Sequence, residues 1–186
     1  MNFRLLVMAA AGALLLAAPS PAAAMSGRCL WDSRPDARRA ELVEEFRQKG
    51  LKSDEPLRQE DSAGFAACGA AGSGEAQGRL TLAAYLLMHA SSVVLGERHA
   101  IDEATLDGRW KALSPADREA LTFSVGSLVT GEGDAVTGAP ALERFVASFQ
   151  ARPESEEALA SYAMGRAMLE LLEALPDPQA PDQRTA

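Results

Sequence analysis

His89, His99, Glu97, Cys29 and Cys68 are the residues from which this chain could build chemistry, and their spacing decides what that chemistry would be. The two histidines stand ten residues apart across Gly96. That spacing matches neither an H-E-x-x-H helix nor a zinc-finger pair. In "GERH", Glu97 lies two before His99, so a loop there would let a carboxylate and an imidazole face one cleft as an acid/base pair. The competing reading is a polar helix terminus in which His99 meets water or a last-turn carbonyl. It is the stronger of the two, because two ligands fall below the three or four that a metal site uses. His89 sits inside an apolar run and reads as a core histidine held by a hydrogen bond. The polar-site candidates are therefore His89, Glu97 and His99, with no metal ligands, catalytic constellation or cofactor expected.

Cys29 and Cys68 are too far apart for the C-x-x-C spacing of a redox pair. An even count suits a structural disulfide, provided the chain reaches an oxidising compartment. In the chain-entropy description, closing a loop of this length stabilises by about 4 kcal/mol. The N-terminus supplies the route. Arg4 precedes an apolar run from Leu5 to Ala18, and Ala22 and Ala24 fit an A-x-A cleavage rule. The run is short against the ~20 apolar residues of a membrane span. Residues 1–24 thus read as a signal peptide and Met25 as the first mature residue, secreted or periplasmic, without a stable membrane anchor. Arg28 directly before Cys29 disagrees with a lipoprotein site, which needs a small residue there.

Removing residues 1–24 from 186 leaves 162, a length that suits one domain. With Arg4 gone and no acid lost, 17 cations face 26 carboxylates, a net charge of −9. Such a surface disfavours nucleic acid and anionic membranes, both of which need clustered cations. The one basic stretch, "RPDARR", runs straight into "ELVEE" and reads as a solvated helix face. A G-x-S-x-G elbow, a C-x-x-C-H haem site and a phosphate-binding glycine loop are all absent from the sequence. "SVGS" at residues 124–127 belongs to a helix whose serines suit close packing. "GEGDAVTG" has two carboxylates, too few for calcium, and reads as a turn or a lid.

The elements that must position these residues are helices. Pro35, the stripe Leu42, Val43 and Phe46, the Glu45 to Lys49 spacing and Gly50 outline one. A weaker one starts from Pro56, interrupted by Gly64, and "CGAAGSGEAQG" follows as a flexible connection. Residues 80–96 are apolar nearly all round, which marks a central helix buried on several sides and too short, with its polar residues, to span a membrane. Asp102 and Ser114 cap two further helices, Ile101 and Leu106 form a staple, and Pro115 with Asp117 completes a capping-box pattern. Their buried stripes are Leu106, Trp110 and Leu113, then Leu121, Val125 and Leu128. Leu142, Phe145, Val146 and Phe149 repeat at helical steps until Pro153. A last helix runs to about Leu175, with Met164, Met168, Leu171, Leu172 and Leu175 inside and Arg166, Glu170 and Glu173 outside as a solvated network.

No run alternates at period two, so the expected fold is all-α: a compact irregular bundle of five to seven helices. The domain plan is a signal peptide over 1–24, one helical domain over 25–175 and a disordered tail over 176–186. The leading expectation for function is a non-catalytic interaction or accessory protein that docks on an envelope protein partner. The alternatives are a binder of a small apolar or amphipathic ligand between helices, and a hydrolase using Glu97 and His99.

Overall fold

A helix that is apolar on every side is stable only where neighbours cover more than one of its faces. The computed structural model, which describes residues 26–49, 62–69, 74–134, 136–150 and 152–175, shows how residues 80–96 meet that demand. Among those residues lie eight helices and no strand. They are α1 (Gly27–Asp32), α2 (Asp36–Lys49), α3 (Ser62–Ala67) and α4 (Glu75–His99), then α5 (Glu103–Ala112), α6 (Pro115–Thr130), α7 (Ala139–Ala147) and α8 (Pro153–Ala174). The fold is all-α as the periodicity predicts. The count exceeds the expected range because α1, six residues long, is too short to leave a periodic signal; α3 falls within the weaker helix expected from Pro56, around Gly64. The expected signal peptide over 1–24, the segment over 50–61 that holds Pro56, and the expected tail over 176–186 lie outside the described residues, as does the Lys49 side chain.

α4 is the spine. Leu82, Leu86 and Ala90 follow one another at four-residue steps and bury one stripe against Leu30, Trp31, Leu42 and Phe65. Ala84, Met88 and Leu95 lie on the opposite side, within a second cluster that includes Leu106, Trp110, Phe145, Leu159 and Tyr162. The helix is 25 residues, longer than the apolar run suggests, because Glu75–Arg79 and Glu97–His99 extend it at both ends. Length and composition would let it cross a membrane, yet half of its most apolar window is covered by the other helices. Its buried hydroxyls turn back on the helix itself: Thr81 Oγ1 donates to the Gln77 carbonyl at 2.9 Å and Ser91 Oγ to that of Leu87 at 2.6 Å. Each thereby finds an acceptor within the helix.

α4 and α8 cross with their backbones in close approach. A Cβ on Gly165 would stand 2.7 Å from the Met88 nitrogen and 2.8 Å from the Ala84 carbonyl oxygen, both backbone atoms that cannot swing aside. Ala163 and Ala167, fully buried beside it, keep the rest of that face small. The inner face of α8 is therefore narrower than its leucines and methionines suggest. Met164 and Met168 are only partly buried, and Leu175 is 47% exposed. Nor is Glu170 merely solvated: its carboxylate accepts the indole N–H of buried Trp110 at 2.7 Å.

The caps act as the sequence implies. Asp102 accepts from the Thr105 N–H at 2.7 Å and Ser114 from the Asp117 N–H at 3.1 Å. Each satisfies one of the open donors at a helix start. α4 ends on Ala100 at φ 55, a left-handed residue without the freedom of glycine, and Ile101 N–H closes the turn on the Leu95 carbonyl at 3.2 Å. In α6, Leu121 and Val125 are buried with Ser124 and Ser127, whereas Leu128 is 59% exposed. The last turn of α6, Leu128–Thr130, projects past the surface it would need to pack on.

At the other end, the Cys29–Cys68 disulfide joins α1 to the residue following α3, with Cα atoms 5.9 Å apart. Phe65 fills the space beneath, between the guanidinium of Arg34 at 5.1 Å and that of Arg79 at 5.0 Å. These contacts combine apolar cover with cation–π attraction.

Candidate functional site

His89, Glu97 and His99 all lie on α4, so helical geometry alone decides which of them can cooperate. Glu97 and His99 are two residues apart on a regular helix, a spacing that sends side chains to different faces. Glu97 is exposed and accepts from Arg47 Nη2 at 2.6 Å. His99 is half-buried in the last turn, where a basic residue complements the helix dipole. The loop that would have brought the two to one cleft is helix instead.

His89 has a different setting from the one its apolar surroundings suggest. It is half-buried, and its imidazole packs on rings: Trp31 at 5.1 Å and tilted, Tyr85 at 5.8 Å and nearly parallel at 17°. Trp31 and Tyr85 are themselves 6.1 Å apart. Burial holds the His89 pKa below its usual value, with Glu103 acting in the other direction. Burial likewise raises the Tyr85 phenol. Gly27 lets α1 come this close, since a Cβ there would lie 2.7 Å from that of Tyr85.

These rings line a groove of about 530 Å³ between α1, α2, α4 and the first residue of α5. Arg28, Asp32, Arg39, Arg47 and Glu103 make its polar walls. The arginines are engaged: Arg28 with Asp32 at 3.4 Å, Arg39 with Asp32 at 3.3 Å and with Asp36, Arg47 with Glu44 at 3.4 Å and with Glu97. Trp31, Tyr85 and Glu103 escaped the reading of the sequence. Tyr85 and His89 share a helix face at four-residue spacing, which was a usable signal. Trp31 reaches them only through the folding of α1 onto α4, which no local pattern announces.

A second, larger groove of about 780 Å³ runs between α6 and α8. Phe123, Gly126 and Leu171 form its floor, and Arg118, Glu119, Glu132 and Glu170 its rim. Phe123 is 53% exposed, and Leu128 and Val129 of the same helix are also exposed. The loop "GEGDAVTG" borders this groove through Glu132 and Gly133. It is built as a turn: Gly131 at φ 72 ends α6, Gly133 sits at φ 92, and Asp134 Oδ1 accepts the Val136 N–H at 2.8 Å. Ser124 receives the end of this loop, its Oγ accepting the Gly138 N–H at 2.6 Å. Among the described residues no group of three or more His, Cys, Asp or Glu could hold a metal ion. Comparison with protein-family models, curated proteins and solved structures yields no match.

Proposed function

We propose that this chain is an exported, non-catalytic interaction protein that receives an apolar helix of an envelope partner in the groove between α6 and α8. The observation that carries this reading is Phe123, an aromatic side chain 53% exposed to water in the groove beside Gly126 and Leu171. An aromatic side chain exposed in an open trough between two helices fits the helix-in-groove mode of docking. Glu119 and Glu132 on the rim, in a chain of net charge −8, favour a partner helix flanked by Lys or Arg. The leader pattern supports export, and the disulfide is compatible with an oxidising compartment.

A photo-crosslinking residue placed at Phe123 is expected to yield a discrete adduct in envelope extracts, and the same probe at exposed Glu41 of α2 none. Phe123→Asp should lower capture more than about tenfold with the melting temperature unchanged, as for an aromatic anchor of an interface. Identical adducts from both positions would overturn the reading. The intact mass of native protein reports export directly, since loss of residues 1–24 leaves Met25 first.

A small amphipathic ligand is the second reading, because the groove volume lies in the range of small-molecule sites. Native mass spectrometry after gentle extraction separates the two: a bound small mass favours the ligand, a clean apo mass the protein partner.

A further inference from the structure

The aromatic groove on the opposite side of the α4 spine has a composition that the docking surface does not explain. We propose that it binds a small arylalkyl ammonium, whose ring lies on Tyr85 and His89 and whose cationic group meets Glu103.

Three observations lead there. First, Trp31, Tyr85 and His89 are 5.1–6.1 Å apart between ring centres, so they pack on one another. That spacing leaves no room between the rings, and they act as a wall over which a planar group would lie by offset stacking. Second, the charge in the groove is unevenly committed. Arg28, Arg39 and Arg47 are each bonded to carboxylates, so an anionic ligand would have to compete with Asp32, Asp36, Glu44 and Glu97 for them. Glu103 lines the same groove, and among the described residues its carboxylate has no hydrogen-bond or ion-pair partner. It is the group in place to receive a cation. Third, the groove of about 530 Å³ suits a compound of one or two rings.

The neighbouring groups favour the same sign of ligand. Burial lowers the His89 pKa and so favours the uncharged imidazole, which offers a π face beside Glu103. Tyr85 and Trp31 add the ring quadrupoles that attract a cation.

The test is calorimetric titration of the disulfide-intact chain with 2-phenylethylammonium chloride. Neutral 2-phenylethanol and anionic 3-phenylpropionate serve as matched probes. Saturable binding of the ammonium is expected, with each of the other two at least tenfold weaker. Glu103→Gln, a change at an exposed position, should weaken the ammonium at least tenfold, leave the alcohol unchanged and preserve the melting temperature. Tyr85→Leu should weaken both the ammonium and the alcohol. Quenching of Trp31 fluorescence by the ammonium should vanish in Trp31→Phe, which retains Trp110 as an internal control. Equal binding of the three probes, tighter binding of the propionate, no binding of any, or indifference to Glu103→Gln would each overturn the assignment.

Discussion

On one side of α4, Leu82, Leu86 and Ala90 are covered by two six-residue helices and by α2; on the other, Ala84, Met88 and Leu95 meet α8, 22 residues long. Helices of six residues fall well below the ~12 at which an isolated helix becomes marginally stable. α1 and α3 therefore depend on what they touch: the disulfide, the buried Phe65 ring between two arginines, and the close seat of Gly27 on Tyr85. The other side has no covalent tie. It relies on interlocked aromatics, with Phe145 edge-on to Trp110 at 6.0 Å and stacked at 8° on Tyr162, and on the backbone contact at Gly165. One core holds short pieces by a staple, and the other holds long pieces by area. Burial of Tyr162 is deep enough to push its pKa up to about 12.

Substituting Gly165 should break this contrast most severely. Gly165→Leu drives a side chain into the backbone of Ala84 and Met88, and overpacking against main chain allows little relaxation. A loss of about 5 kcal/mol or more is expected, enough to abolish the cooperative transition by circular dichroism. Both cores share α4, so both should go together. Retention of a normal transition would show that the crossing is looser than the structure depicts.

Removing the staple should separate the two cores. Cys29→Ser with Cys68→Ser should lower stability by about 4 kcal/mol, as for a closed loop with a sequence separation of 39. Amide exchange should rise in α1 and α3 while α8 keeps its protection relative to the global transition. Uniform loss of protection would contradict the division into a stapled and a self-sufficient core.

Acid titration has the smallest expected effect and sharpens the comparison further. His89 belongs to the stapled side, and its folded pKa lies below the 6.5 of the free side chain. Between those two values the unfolded chain binds a proton that the folded one refuses. Stability contributed by keeping His89 neutral is thus fully present above about pH 6.5 and declines as pH falls toward the folded pKa. His89→Phe should flatten that window. Asp102, Asp117 and Glu44, all held below the usual carboxylate range by hydrogen bonds, lose their contribution only at lower pH, so the two windows are distinguishable. An unchanged profile in His89→Phe would remove His89 as the source.

What could be read from the sequence followed from locality. Asp102, Ser114 and Pro115 act on donors within their own first turn, so residue type and position suffice. The all-round apolarity of residues 80–96 announced a helix with several covered faces, and the two cores on α4 are those faces. Errors arose where a helix end or a neighbour decided the outcome. Leu128 and Leu175 fit the apolar period yet stand at helix ends, about half exposed. Glu170 looked like any solvated acid until Trp110 of another helix presented its N–H. Of the aromatic groove, His89 and Tyr85 were one helical turn apart and legible as a pair; Trp31 and Glu103 were not.

The sequence by itself determined an all-helical class, the caps that start α5 and α6, and an even pair of cysteines spaced for a structural bridge. Each of these depends on local spacing or on parity. Only the tertiary structure decided that α8 crosses α4 at Gly165, that Trp31 completes a wall with Tyr85 and His89, and that Phe123 is left facing water. Those outcomes depend on which helix faces meet. Residues far apart in the chain set that meeting through shape and burial, and periodicity within any one helix carries no record of it.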